Sequence, residues 1–268
     1  MLVRRRKSYY LLATVKLRLE NLAKREYPGR VILAGVNPQG AIFICYAITG
    51  RSSSSQARKL VFSDQPNMIS VTPTDEEELK KGNPDLLVYP AIHFNPTSDL
   101  PPHVVVSNGN QTRAIESFLH RSWEMHNGDP IVILRNALST FEYEPDKPNF
   151  TPRISACCVY PNIALSIVKR HPAGQAIRHY FEVPLIKSQG QFISTYTGEN
   201  KDPLPSFRGE PSDFGLPWEN LDSFVVEVYK ALGPREGKPN DFRVAVAGVE
   251  IGPKGVCSYR IKNRYGDV

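Results

Sequence analysis

"RVILAGVNPQGAIFICYAIT", residues 30–49, decides the fold class. Two apolar runs, "RVILAGV" and "AIFICYAIT", flank "NPQG", a Pro/Gly turn, and this pattern predicts a β-hairpin. Downstream, the polar loop "GRSSSSQARK" leads into strand-like "LVFS", and "TPTDEEELKKG" reads as a solvated acidic helix or turn. "DLLVYPAIHF" and "HVVVSN" are further strands. "QTRAIESFLHRSWEM" has helical spacing through Ile115, Phe118, Leu119 and Trp123, and "DPIVILRNALSTFEYEP" reads as a second helix. Pro-rich "DKPNFTPR" approaches the apolar "ISACCVYPNIALSIVKR". "HYFEVPLI" and "GQFISTYTG" are strands, "KDPLPSFRGEP" is a loop, and "ENLDSFVVEVYKAL" is a helix. "FRVAVAGVEI" and "CSYRIKN" close the chain as a hairpin. Antiparallel strand pairs with helices grouped between them predict an α+β protein, not a parallel doubly wound one.

The chain has 268 residues, 41% of them apolar, enough to bury a substantial core. Its formal charge of +6 suits an anionic partner but says nothing about fold. That charge is scattered apart from Arg4, Arg5, Arg6 and Lys7, and no basic stripe interleaved with aromatics appears, so a nucleic-acid partner is not expected. The four cysteines, Cys45, Cys157, Cys158 and Cys257, form no CxxC pair and read as reduced thiols of a cytoplasmic protein. Near the N-terminus, Leu12, Val15, Leu19 and Leu22 fall on one helical stripe that Pro28 ends; residues 1–28 are therefore read as a helical extension and 29–268 as one domain. The short apolar stretch Tyr9–Val15 runs into Lys16 and Arg18 without a cleavage signature, and no run reaches transmembrane length, so no membrane partner is expected.

Four stretches could carry chemistry. In the loop 51–59, Arg51 and Arg58 flank four serines; guanidinium forks and hydroxyls suit a phosphate, although a solvated loop has the same composition. "SNGNQT" (107–112) could be only a turn, but a helix follows the strand, making it an elbow where amide groups can converge on a ligand. "EYEPDKPNFTPR" sets Glu144 and Asp146 near Arg153 on a proline-stiffened connection, which could hold a ribose or a reacting proton or be a surface ion pair. "FISTYTGENK" ends a strand in Tyr196 and Glu199. The six histidines never fall at metal-ligand spacing, and HExxH and GxSxG are absent, so neither a metal nor a serine triad is expected.

"YPGRVILAG", "GRSSSSQARK", "VVVSNGNQT", "EPDKPNFTPRIS" and "FISTYTGENKDPLPSF", in this order, resemble the archaeal-type IMP cyclohydrolase family with its bacterial relatives. The resemblance implies a four-layer αββα sandwich of antiparallel sheets like that of the N-terminal-nucleophile hydrolases. It implies a cofactor-free reaction: ring closure of 5-formamidoimidazole-4-carboxamide ribotide to IMP with loss of water. On this reading Arg30, Arg51, Ser52 and Arg58 bind substrate, the last three at its phosphate, and Asn108, Asn110, Gln111 and Thr112 orient the base. Tyr89 and either Glu144 or Asp146 handle protons, Arg153 steadies the carboxylates or the oxyanion, and Tyr196 and Glu199 line the pocket. Gly29-Arg30 stands where those hydrolases expose a terminal nucleophile, which favours cyclisation without a covalent intermediate. The family implies a homo-oligomer. Arg113 stands where the family has an acidic residue and Ala57 where it has Asn, which motivates an alternative: a non-catalytic purine ribotide-binding protein on the same fold.

Overall fold

A computed structural model describes residues 18–63, 67–80, 87–95 and 100–266. The quoted hairpin is present: β1 (Arg30–Val36) pairs antiparallel with β2 (Ile42–Thr49). Every residue of β2 is buried, because its two faces serve different cores. Ile42, Ile44, Tyr46 and Ile48 face a core shared by two sheets, while Phe43, Cys45 and Ala47 face a helix. The period of two along a strand makes this division.

The chain is α+β and mostly sheet. Among the described residues one sheet has six strands in the order β11-β10-β1-β2-β12-β13. Its other members are β10 (Gln189–Ser194), β11 (Ser212–Gly215), β12 (Arg243–Gly252) and β13 (Gly255–Asn263). The second sheet holds seven strands in chain order: β3 (Arg58–Ser63), β4 (Met68–Pro73), β5 (Tyr89–Asn95), β6 (His103–Ser107), β7 (Arg153–Val159), β8 (Asn162–Arg170) and β9 (Ala176–Glu182). All the strand pairings within both sheets are antiparallel.

The helices in chain order are α1 (Glu20–Ala23), α2 (Ser53–Gln56), α3 (Glu76–Lys80), α4 (Gln111–Arg121), α5 (Trp123–His126), α6 (Pro130–Ala137) and α7 (Leu221–Ala231). Helix α7 packs Leu221, Phe224, Val225 and Val228 on Phe43, Cys45 and Val246 of the six-stranded sheet. Helices α4 and α6 pack Ile115, Leu119, Ile133 and Leu134 on Val105, Cys157 and Ala164 of the other sheet. Of the expected N-terminal stripe, Leu12 and Val15 lie outside the described residues, whereas Leu19 and Leu22 are buried in the α7 core.

Three expectations are corrected. The helix expected over 129–145 ends at Ala137, and the far end of that segment is taken up by a loop instead: the Glu144 N–H bonds the Thr151 carbonyl at 2.9 Å, and Pro145 keeps Glu144 out of the helical region. The loop 50–59 contains α2, a single turn held by a reciprocal capping box between Ser52 and Ser55. Strands β4 and β11 lie in segments not assigned as strands from the sequence. Among the described residues no helix is long and apolar enough to cross a membrane.

Phe224 is fully buried and stacks with Phe43, Phe214 and Trp218. Phe224→Ala is expected to cost about 3–5 kcal/mol, read in urea titration as a lower midpoint with an unchanged slope.

Candidate functional site

Arg30, the first residue of β1, carries its guanidinium into the space between the sheets, where Glu144 of the loop before β7 meets it. One nitrogen, Nη2, donates to both carboxylate oxygens at 2.6 and 2.7 Å. Burial works most strongly against the Arg30 charge, but Glu144 together with Tyr89, Tyr196 and Tyr46 more than offsets it and the guanidinium stays protonated. Burial likewise pushes the Glu144 carboxyl up, while the Arg30 charge and hydrogen bonds favour its ionised form. Gly29, at φ +74, makes the approach feasible: a Cβ there would lie 2.1 Å from Thr195 Oγ1 and 2.6 Å from the Tyr196 ring.

The elbow after β6 supports this pair from behind. Asn108 Nδ2 donates to Glu144 Oε1 and to the Pro152 carbonyl, each at 3.0 Å. Its Oδ1 accepts from Ile154 N at 2.7 Å and from Gln111 Nε2 at 3.0 Å. Gln111 Oε1 in turn accepts from Arg153 Nη1 at 3.0 Å. An unbroken chain thus runs from Arg153 through Gln111, Asn108 and Glu144 to Arg30. Both ends of each buried amide are used, which fixes their orientation.

In front of the pair lies a cavity of about 380 Å³ lined by Tyr27, Arg30, Arg51, Ser52, Ser54, Ser55, Glu144, Asp146 and Tyr196 among others. That size lies in the range of small-molecule sites. Arg58 lies beside the serine turn: its Nε donates to the Ser55 carbonyl at 2.8 Å, while its Nη1 is buried without a hydrogen-bond partner. Arg30 Nε is also buried and unpartnered. The Tyr27 hydroxyl marks the convergence of the cations. Burial raises it above its ordinary value, and the charges of Arg30, Arg58 and Arg51 all work in the other direction. Three arginines against Glu144 and Asp146 leave a positive site with unused guanidinium donors, the setting that binds an anion.

A hydroxyl relay forms another wall. Asp146 Oδ1 accepts the Thr151 N–H at 2.7 Å, and Oδ2 bonds the Thr151 hydroxyl, which also meets the Tyr196 hydroxyl. A carboxylate only accepts, so Thr151 donates to Asp146 and accepts from Tyr196. Across the sheets, the Tyr46 and Tyr89 hydroxyls lie 2.7 Å apart beside Arg30. Burial, with Tyr89 adding to it, raises the Tyr46 hydroxyl and keeps it neutral.

Of the residues singled out from the sequence, Arg30, Arg51, Ser52, Glu144, Asp146 and Tyr196 line the cavity. Arg58, Tyr89, Asn108, Gln111 and Arg153 stand around it as the supports just described. Thr112 is a strut: its hydroxyl bonds the Pro90 carbonyl at 2.7 Å and also meets Ser107. Asn110 and Glu199 lie outside the lining. Asn110 is exposed at the start of α4, and Glu199 is an exposed partner of Lys201. Ser54 and Ser55, among the serines expected between Arg51 and Arg58, line the cavity too, whereas reading the sequence missed Tyr27, Tyr46 and Thr151. Tyr46 had one local signal, a polar-tipped side chain inside an otherwise apolar strand.

A larger open groove of about 720 Å³, lined in part by Asn127, Asp129, Ile131, Glu182 and Leu185, has only acidic charged groups. It lacks the convergent cations of the smaller cavity. Removing one partner of a buried ion pair strands the other, so Glu144→Ala should lose about 3–5 kcal/mol of stability by denaturant titration. Glu199→Ala should change it by less than about 0.5 kcal/mol in the same assay.

Residues 27–236 match the family model described as IMP cyclohydrolase-like protein. No curated protein matches the chain. The match begins at Tyr27 and takes in every residue that lines the cavity. The chain belongs to the IMP cyclohydrolase-like family.

Proposed function

We propose that this chain is an IMP cyclohydrolase, closing the pyrimidine ring of 5-formamidoimidazole-4-carboxamide ribotide to give IMP and water. The reading rests on one observation above the rest: in a chain of this family, Arg30, Arg51 and a serine turn share a cavity with a hydroxyl–carboxylate relay, and Arg58 stands beside that turn. Support for a four-layer αββα arrangement like that of the N-terminal-nucleophile hydrolases comes from the helices packed on each sheet. The partner is a purine ribotide, no cofactor takes part, and the setting is the cytoplasm.

The chemistry asks for little. The carboxamide nitrogen attacks the formyl carbon and gives up a proton as the N–C bond forms; the formyl oxygen takes up that proton and the one on the formamido nitrogen, and its C–O bond breaks to release water as the ring C=N bond forms. Holding the two arms in attack geometry supplies much of the rate. Arg51, Arg58 and the serines grip the phosphate and so fix the far end of the substrate. Arg30 Nε, buried and unused, meets the oxygen that gains charge as the carbon becomes tetrahedral.

Proton handling falls to Asp146. Both oxygens of Glu144 are engaged by Arg30, and one also by Asn108, which makes Glu144 the positioning residue for Arg30. Tyr196 lies in the lining and leads through Thr151 to the Asp146 carboxylate. Tyr89, bonded to Tyr46 behind Arg30, is a positioning group as well.

Purified protein incubated with the formamido ribotide should form IMP, followed by its absorbance, well above the spontaneous rate. Tight ribotide binding without IMP would instead select the non-catalytic binder. Arg51→Ala is expected to raise KM about ten- to a hundredfold with kcat little changed, the signature of a lost charge-assisted contact made equally in ground and transition states. Asp146→Asn is expected to lower kcat by about 10²–10⁴ with KM nearly constant, measured in the same steady-state assay.

A further inference from the structure

Three histidines distant in the sequence meet around one carboxylate oxygen on the helix-covered face of the seven-stranded sheet, away from the cavity. His93 lies on β5 directly opposite Val105 of β6, and His103 lies two residues before Val105. Both therefore project to the face where Val105 packs against Ile115 and Leu119 of α4. Glu116 and His120 stand one turn apart on that helix. His93 Nδ1, His103 Nε2 and His120 Nε2 lie 3.1, 3.2 and 2.7 Å from Glu116 Oε1.

Hydrogen bonding alone accounts poorly for this arrangement. Three rings crowd one oxygen, while the other, Oε2, is buried without a hydrogen-bond partner. His93 Nδ1 is also buried and unpartnered, since its approach to Oε1 is off the hydrogen-bonding line. His103 Nδ1 lies 3.0 Å from the Pro101 carbonyl, an acceptor, so that nitrogen carries a hydrogen. In the neutral ring the Nε2 lone pair then points at the carboxylate, a repulsion relieved by a second proton on the ring or by a cation between the two. A histidine whose one nitrogen donates to a backbone carbonyl while the other faces outward is oriented as metal-binding histidines are.

We infer that His103, Glu116 and His120 form a binding site for a borderline divalent transition ion of the zinc class, with His93, beside Glu116, in position to move in as a fourth ligand. Three imidazoles and a carboxylate are donors this ion accepts in tetrahedral geometry, with bonds of about 2.0–2.2 Å. Such bonds place the donor atoms roughly 3.3 Å apart. The candidate atoms of His103, Glu116 and His120 all lie within 4.8 Å of one another, so shifts of side-chain size bring them into register. His103 is fully buried and His120 is 39% exposed, so the site has a closed floor and an access side.

With His93 drawn in as the fourth ligand no position stays open, and the ion then acts structurally. It ties α4 to the β5–β6 pair. Helix α4 begins at Gln111, whose side chain bonds Asn108 and Arg153 in the chain that supports Arg30. The sequence hid the site because its ligands come from two strands and a helix, at separations no short motif describes.

The test uses the full chain, tag-free and stripped by dialysis against a chelator, then titrated with Zn²⁺ alone by calorimetry. One Zn²⁺ per chain, a melting temperature that rises with Zn²⁺, and intense visible bands on Co²⁺ substitution are expected. His120→Ala, at the exposed side, should weaken Zn²⁺ binding by at least about tenfold, while Cys257→Ser leaves it unchanged. Glu116→Gln keeps the shape of the cluster and should weaken binding likewise, providing a second reading should the alanine variant fold poorly. Absence of stoichiometric uptake by the wild-type chain, or uptake that neither variant alters, would overturn the assignment.

Discussion

The buried contact between Arg30 and Glu144 is the constraint on which the rest of the molecule turns. Arg30 belongs to the six-stranded sheet, and Glu144 to the loop that enters the seven-stranded one. A charged pair between two apolar layers is costly to desolvate, and it is tolerable only when the remaining donors and acceptors are also met. Asn108 meets the carboxylate, Gln111 and the Ile154 N–H meet Asn108, and Arg153 meets Gln111. What stays unmet is Arg30 Nε, on the residue that reaches the cavity. The polar network around Glu144 is satisfied, and that one buried donor is left over.

The charge pattern follows from this geometry. Arg51 opens the loop after β2, Arg58 opens β3, and α2 lies between them. The capping box uses the hydroxyls of Ser52 and Ser55 to hold that turn, so the serines shape the loop as well as line it. Arg51 is tethered at its outer side to the Lys201 carbonyl at 3.1 Å, bringing the 196–204 segment to the same rim. Asn149 adds to this by accepting the Leu204 N–H at 2.9 Å. Loops distant in sequence are thereby fastened to one another around a positive hollow.

Much of this was legible beforehand where the signal is local. The 30–49 hairpin and the strand-to-helix elbow at Ser107–Gln111 follow from turn residues between apolar runs, and both are present. The helix over 129–145 was overextended because apolar spacing persists to Leu138, while the far end of the segment is taken up by a loop closure with Thr151 that no local pattern encodes. Side chains that matter through the meeting of the two sheets were harder to see. Tyr46 reads as one more core residue until Tyr89 arrives from the other layer. Asn110, by contrast, looked like part of the elbow's chemistry and faces solvent, because the helix that starts beside it turns it outward.

The two sheets are assembled differently, and this bears on the order of folding. The seven-stranded sheet joins each strand to its neighbour in sequence, so it grows by short-range steps. The six-stranded sheet must bring Val31 beside Ser194 and Ala47 beside Val246, closures that carry a far larger entropic cost. Arg30 and Tyr196 sit on or at the ends of strands with those long closures, so the candidate cavity is complete only when the six-stranded sheet has closed.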